Sequence, residues 1–232
     1  MRRDLPAAAC ALATALALAA PSGAHAFERI EATFFAEYGA EEYTIDQGEI
    51  VTFANTDAFL AHGLVSDTGT GALFSSPVIG TGRTRLLRGT PFLTAAGSPY
   101  AFHCPIHPGM TSVLNVGPGG ELLPTDDAPP AAGLKIKTGS AAKLVRKRKL
   151  RLVLTPSEAV DVIVGASVKD AALGSAERTY VTPGRRVVTL KLSRAAASAV
   201  SRLRAGAARV KVKLTLADVA GNVTVVKAGR RL

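Results

Sequence analysis

Strict alternation is the feature that most narrows what this chain can fold into. In Arg209-Val210-Lys211-Val212-Lys213-Leu214 apolar and basic residues take turns without a break. A half-buried strand reads this way, because successive side chains point to opposite faces of a sheet. The same period of two runs through residues 150–154, 160–164, 187–192 and 210–216. In the first half, residues 50–53, 100–102 and 113–116 are rich in β-branched or aromatic residues, with Gly, Pro, Asn and Asp between them at short intervals. One segment, 195–205, carries Ala, Leu and Arg up to Gly206 and reads as a helix. No strand–helix–strand alternation is present, so nothing predicts a parallel sheet. The expected class is all-β, built as sandwiches.

Charge divides the chain unevenly. Residues 27–123 hold ten acidic and four basic side chains, a net of −6, whereas residues 133–232 hold five acidic and 22 basic, a net of +17. Between them runs Pro124-Thr125-Asp126-Asp127-Ala128-Pro129-Pro130-Ala131-Ala132, which has no apolar period and reads as a linker stiffened by its prolines. The expected organisation is therefore one domain over 27–123, a linker over 124–132 and a basic domain over 133–232. Residues 1–26 read as an address. Arg2 and Arg3 precede an apolar run over 7–20, and Ala24-His25-Ala26 supplies small residues for cleavage. That run falls short of the roughly 20 residues a membrane-spanning helix needs. The expectation is a signal peptide cut after Ala26 and a secreted or otherwise extracytoplasmic, non-transmembrane protein, in the periplasm or at the cell surface. A hydrophobic content of 47% excludes a wholly disordered chain, and two cysteines exclude a disulfide scaffold.

The residues able to hold a soft metal are few. Beyond the signal segment there is one cysteine, Cys104, one methionine, Met110, and three histidines, His62, His103 and His107. Cys104-Pro105-Ile106-His107-Pro108-Gly109-Met110 sets thiolate, imidazole and thioether at Cys-x2-His-x2-Met spacing, between two expected strands. His62 follows the strand-and-turn pattern of residues 51–57 and is the one candidate for a fourth donor from elsewhere. His103 alternates with Cys104 and so points to the other face, as a surface or satisfied histidine. Thiolate and thioether are soft donors that favour copper, and two His, one Cys and a weak axial Met is the donor set of blue-copper centres. Thioether suits zinc poorly. Read singly, Cys104 also fits a buried small hydrophobe or an intermolecular disulfide, and Met110 a core filler.

The run Phe102-His103-Cys104-Pro105-Ile106-His107-Pro108-Gly109-Met110 resembles the copper loop of the cupredoxins, and its short spacing is most similar to amicyanin-type members of the plastocyanin family. Residues 51–57 with His62 resemble the family's first-ligand region. The resemblance spans roughly residues 27–118. It implies a Greek-key β-sandwich with one type 1 copper, His62, Cys104 and His107 as in-plane ligands, Met110 as axial ligand, and one-electron exchange with a redox protein. Many family members carry Asn after the first histidine to brace the site; this chain has Gly63.

The basic half lacks Cys, His and Met, so no nucleophilic triad or soft metal site forms within it. The run over 143–151 reads as a solvated, Lys-rich strand edge. It also suits an anionic cell-envelope polymer, anionic lipid headgroups, an acidic redox protein or the acidic domain across the linker. Nucleic acid is not an expected partner after export. Residues 214–226 read as a hairpin turning at Asp218, Gly221 and Asn222. The hairpin resembles the last one of bacterial immunoglobulin-like or fibronectin-III-like modules, which implies a second sandwich. Asp218 alone is not expected to bind calcium. The function expected is an exported type 1 copper protein in one-electron transfer, not an enzyme. The alternatives are an extracytoplasmic copper carrier or buffer, and a cell-surface adhesion module with a non-redox metal site.

Overall fold

In a computed structural model, which describes residues 28–68, 71–169, 171–203 and 207–232, alternation in sequence becomes alternation in burial. The expected signal segment lies outside these residues, as does the end of the expected helix at 204–206. Among the described residues no helix is long and apolar enough to cross a membrane. The described residues form an all-β structure with two short α-helices among them.

The first sandwich comprises β1 (Arg29–Thr33), β2 (Glu37–Tyr38), β3 (Glu42–Gln47), β4 (Thr52–Asn55), β5 (His62–Ser66), β6 (Ser75–Ile79), β7 (Arg83–Leu86), β8 (Tyr100–Cys104) and β9 (His107–Gly120). One sheet runs β2-β1-β4-β7 and the other β3-β9-β8-β5-β6. Contrary to the sequence expectation, β1 pairs with β4 and β3 with β9 in parallel. No crossover helix is needed, because the chain passes through the opposite sheet before returning to pair in the same direction. Ile30, Phe53, Leu64, Phe74, Phe102 and Leu114 are fully or almost fully buried between the sheets. Each such side chain contributes about 1.5–3 kcal/mol by leaving water. Phe102 meets Tyr38 edge-on at 4.8 Å between ring centroids and Phe74 at 6.0 Å, fixing the strand that ends at Cys104.

The second sandwich comprises β10 (Ala132–Ile136), α1 (Ala141–Lys147), β11 (Lys149–Pro156), β12 (Val160–Val168), β13 (Ala171–Tyr180), β14 (Arg186–Lys191), α2 (Arg194–Ser201), β15 (Arg209–Ala217) and β16 (Val223–Arg231). Its sheets, β10-β11-β14 and β13-β12-β15-β16, are antiparallel throughout. In β15 the even-numbered residues from Val210 to Leu216 are buried, as their alternation requires. The hairpin at Asp218–Asn222 forms, with Gly221 at φ 93°, a conformation glycine takes without penalty. The basic run differs from expectation. Ser140 caps α1 by accepting the Lys143 N–H at 3.2 Å, and Arg148 ends the helix in the left-handed region. Only then does β11 begin, in the middle of its sheet and not at an edge.

The two sandwiches share a seam. Leu86, Ala159 and Val219 are buried together, with Ile50, Phe92 and Val181 against them. Gly89 N–H donates to the Val219 carbonyl at 2.8 Å. Leu86 N–H donates to the buried Asp161 carboxylate at 3.1 Å, and Thr179 hydroxyl donates to it at 2.7 Å. Burial raises the Asp161 pKa, and these hydrogen bonds with Arg85 and Arg88 oppose the rise. Arg83 and Arg85 of the first sandwich pair with Glu177 of the second. The charged contact across the seam thus has the opposite polarity to the one expected from net charge. At the same junction burial raises the Glu158 pKa, helped by Asp218 and Asp126.

Candidate metal centre

The spacing of Cys104 and His107 has a simple structural cause. β8 and β9 form a hairpin in which Cys104 pairs directly with His107 across Pro105 and Ile106. Directly opposed residues of an antiparallel pair project to the same side, so thiol and imidazole meet. The ladder then skips. His103 pairs with Thr111, leaving Pro108, Gly109 and Met110 in a bulge. Such a bulge re-aims side chains. Here Pro108 and Gly109 face solvent, while Met110 turns inward, 3% exposed, into the core cluster that contains Cys104.

His62 opens β5 and is fully buried. Its Nδ1 lies 3.2 Å from Nδ1 of His107, which lies 3.6 Å from the Cys104 sulfur. One donor atom from each of the three residues falls within 4.8 Å of the others. The structure therefore brings His62, Cys104 and His107 to one point, while Met110 is buried in the hydrophobic core of the same sandwich, to which Cys104 also belongs. His103 lies elsewhere. It pairs with Asp67 on the other face of β8.

Asp57 and Tyr38, which the sequence did not single out, and Gly63, which it did, hold the donors in place. Asp57, buried, sits 3.1 Å from Nε2 of His62. The Phe59 N–H holds the Asp57 carboxyl below its usual range, with Leu60 N–H and His62 adding to the effect and desolvation opposing it. With Nε2–H committed to this carboxylate, His62 presents the Nδ1 lone pair to the centre. Gly63 takes over bracing by its backbone. Its N–H donates to the Cys104 sulfur at 3.4 Å, and its carbonyl accepts the Tyr38 hydroxyl at 2.9 Å. Burial pushes the Tyr38 pKa up, so the hydroxyl stays a donor. A Cβ at Gly63 would stand 3.1 Å from Val78 and 3.2 Å from Pro105, so the close approach of the hairpin tip favours glycine. The legible signal for Asp57 is Asn55-Thr56-Asp57 just before His62. Asn55 Oδ1 accepts the Asp57 N–H at 3.0 Å, and its Nδ2 donates to the carbonyls of Leu60 and Ile79 at 2.8 Å each.

The donors fit a soft metal better than a hard one, since they comprise one sulfur and two ring nitrogens. Water is largely excluded: Cys104 and His62 are fully buried and His107 is half-buried.

The sequence matches no family model and no curated protein. It is similar to solved structures of cupredoxins. A purple cupredoxin from Nitrosopumilus maritimus is 22% identical over 39% of this chain and 99% of that chain, with a TM-score of 0.32. An oxidised amicyanin variant is 24% identical over 42% of this chain and 89% of that chain, with a TM-score of 0.34. A reduced amicyanin variant is 23% identical over 41% of this chain and 86% of that chain, also at 0.34.

Proposed function

We propose that this is an extracytoplasmic type 1 copper protein that transfers single electrons. The observation that carries the reading is the meeting of His62 Nδ1, His107 Nδ1 and Cys104 Sγ in a buried pocket, with Nε2 of His62 already held by Asp57. In this reading those three atoms, with the Met110 thioether, would hold the copper ion. Copper bound there would alternate between its two oxidation states and so supply one electron at a time. The chain's own contribution is rigidity. A cross-strand pair sets Cys104 against His107, Asp57 fixes the His62 ring, and Gly63 N–H stabilises negative charge on sulfur. Donors held this firmly move little when the charge of the site changes, which favours fast transfer over turnover of a substrate. The chain is accordingly proposed as a shuttle and not an enzyme.

The route to a partner passes through His107. Ile106, beside it, is 49% exposed, and Phe59 and Leu60, on the loop before His62, are 77% and 42% exposed. Phe34 meets Phe59 edge-on, 5.5 Å between ring centroids, and extends the apolar surface. Exposed apolar patches of this kind mark docking sites, here for a redox protein. The second sandwich, with its three- and four-stranded antiparallel sheets, supports the immunoglobulin-like reading. Arg209, Lys211, Lys213 and Lys227 line a groove on its four-stranded sheet, which suits an anionic envelope polymer or an acidic protein.

Voltammetry of the copper-loaded chain tests the function. A shuttle gives a reversible one-electron wave, and Met110→Leu keeps the wave while moving its potential. Irreversible reduction with release of Cu(I) would make the protein a carrier instead.

A further inference from the structure

A second cluster, of opposite chemical character, lies where the linker meets the second sandwich. Asp126 comes from the linker, Glu158 from the turn between β11 and β12, and Asp218 from the turn between β15 and β16. One carboxylate oxygen from each falls within 4.8 Å of the others. Acidic residues gather on many surfaces, but Asp218 is wholly buried. Its backbone is satisfied: the N–H donates to the Asn222 carbonyl at 3.2 Å and the carbonyl accepts the Gly221 N–H at 3.3 Å. Its Oδ1 accepts the Asn222 N–H at 2.8 Å. Its Oδ2 is buried and has no hydrogen-bond partner among the described residues. Nor does any of the three carboxylates form an ion pair with a described Lys, Arg or His. Arg88 approaches the same turn, with its Cδ 3.8 Å from where a Gly221 Cβ would stand, yet it pairs with none of them. Burying an ionised oxygen without a partner is among the costliest arrangements a fold contains, and two more carboxylates beside it raise the cost.

We propose that Asp126, Glu158 and Asp218 form a Ca²⁺ site that ties the linker to the second sandwich. An all-oxygen donor set selects a hard cation and offers nothing to attract copper away from the sulfur site. Two oxygens on opposite sides of a Ca²⁺ ion, each at about 2.4 Å, stand about 4.8 Å apart. Three separate segments supply the ligands, which suits the irregular six- to eight-oxygen shell of Ca²⁺ and not the near-ideal octahedron of Mg²⁺. The site also has a structural consequence. Ala159 and Val219 follow Glu158 and Asp218 directly, and both belong to the apolar seam that receives Leu86. Bound cation therefore steadies the two turns on which the copper-bearing sandwich rests.

Calorimetric titration of the full mature chain with CaCl₂, in copper-free and copper-loaded forms, tests this. The expected result is one Ca²⁺ per chain in both forms, half-saturated between about 10⁻⁵ and 10⁻³ M, a rise in Tm with Ca²⁺, and binding of Mg²⁺ about tenfold weaker or less. Asp126→Asn and Glu158→Gln each weaken Ca²⁺ about tenfold or more while the copper colour persists. Both spare the turn that Asp218 caps, so they remain informative where Asp218→Asn fails to fold. A folded chain that gives no heat with about 10 mM CaCl₂, ten times the weakest affinity expected, overturns the proposal. So does unchanged affinity in both variants. Copper titration of the same samples separates that failure from a failure of the copper site.

Discussion

The two side-chain clusters of this molecule are built on opposite terms. At His62, Cys104 and His107 the donors are soft, and several of the groups around them are engaged: Asp57 on Nε2 of His62, Gly63 N–H on the sulfur, Tyr38 on the Gly63 carbonyl. At Asp126, Glu158 and Asp218 the donors are hard, and one buried oxygen is left without a partner. The first cluster is held by a sheet, the second by a linker and two turns. What the contrast teaches is that a preorganised centre spends its surroundings on orientation, whereas a junction site depends on its ion for charge balance.

The largest effect is expected in the second sandwich. Leu214 is fully buried in the larger core, and Leu214→Ala should cost about 2–5 kcal/mol. Copper colour should persist through the loss of that sandwich's structure when unfolding is followed by both far-ultraviolet dichroism and visible absorption. If both signals vanish together, the seam makes one cooperative unit of the molecule and the two regions are not energetically separate.

Asp57→Asn comes next. It removes the carboxylate that orients His62 without opening a cavity, and copper affinity should fall about 10–100-fold in competition with a chelator. Ca²⁺ binding should stay as it was. An unchanged copper affinity would mean that β5 alone positions the ring.

The smallest effect is at the seam. Arg85 donates to Glu177 and, with Arg83, holds its carboxyl below the ordinary value of 4.5. A depressed carboxyl pKa stabilises the fold above its unfolded value, and that contribution disappears as pH falls through the folded value. Glu177 is a third exposed, so Glu177→Gln should cost less than about 1 kcal/mol near neutral pH. The difference from wild type should close as the solution is acidified. A gap that widens on acidification would reverse the assigned sign.

How much was legible in the sequence follows the same division. Cys104, His107 and Met110 were readable as candidates because they fall within seven residues of one hairpin and its bulge. His62 was reachable by elimination, since few imidazoles remain beyond the signal segment. The bracing by Tyr38 and Gly63 was not, because it depends on where a distant strand lays its hydroxyl. The acidic cluster was invisible for the same reason, as its members stand at positions 126, 158 and 218 and meet only after the second sandwich closes on the linker. In the fold, alternation gave β11, β12, β14 and β15. Strands such as β2, of two residues, and β7, Arg-Thr-Arg-Leu, carry too little apolar pattern to be seen. The basic run misled because its charges hide Leu144, the one fully buried residue of α1, and its neighbours Ala141 and Val145 on the same core, while the cap at Ser140 carried the true signal.

In the proposed function a thiolate and two imidazoles close on a single copper ion. Titration of the copper-free chain with Cu(II), followed by visible absorption, tests it most directly. The expected result is an intense thiolate-to-copper band that saturates at one copper per chain and is absent from Cys104→Ser. Copper that binds stoichiometrically and leaves the protein colourless would contradict it.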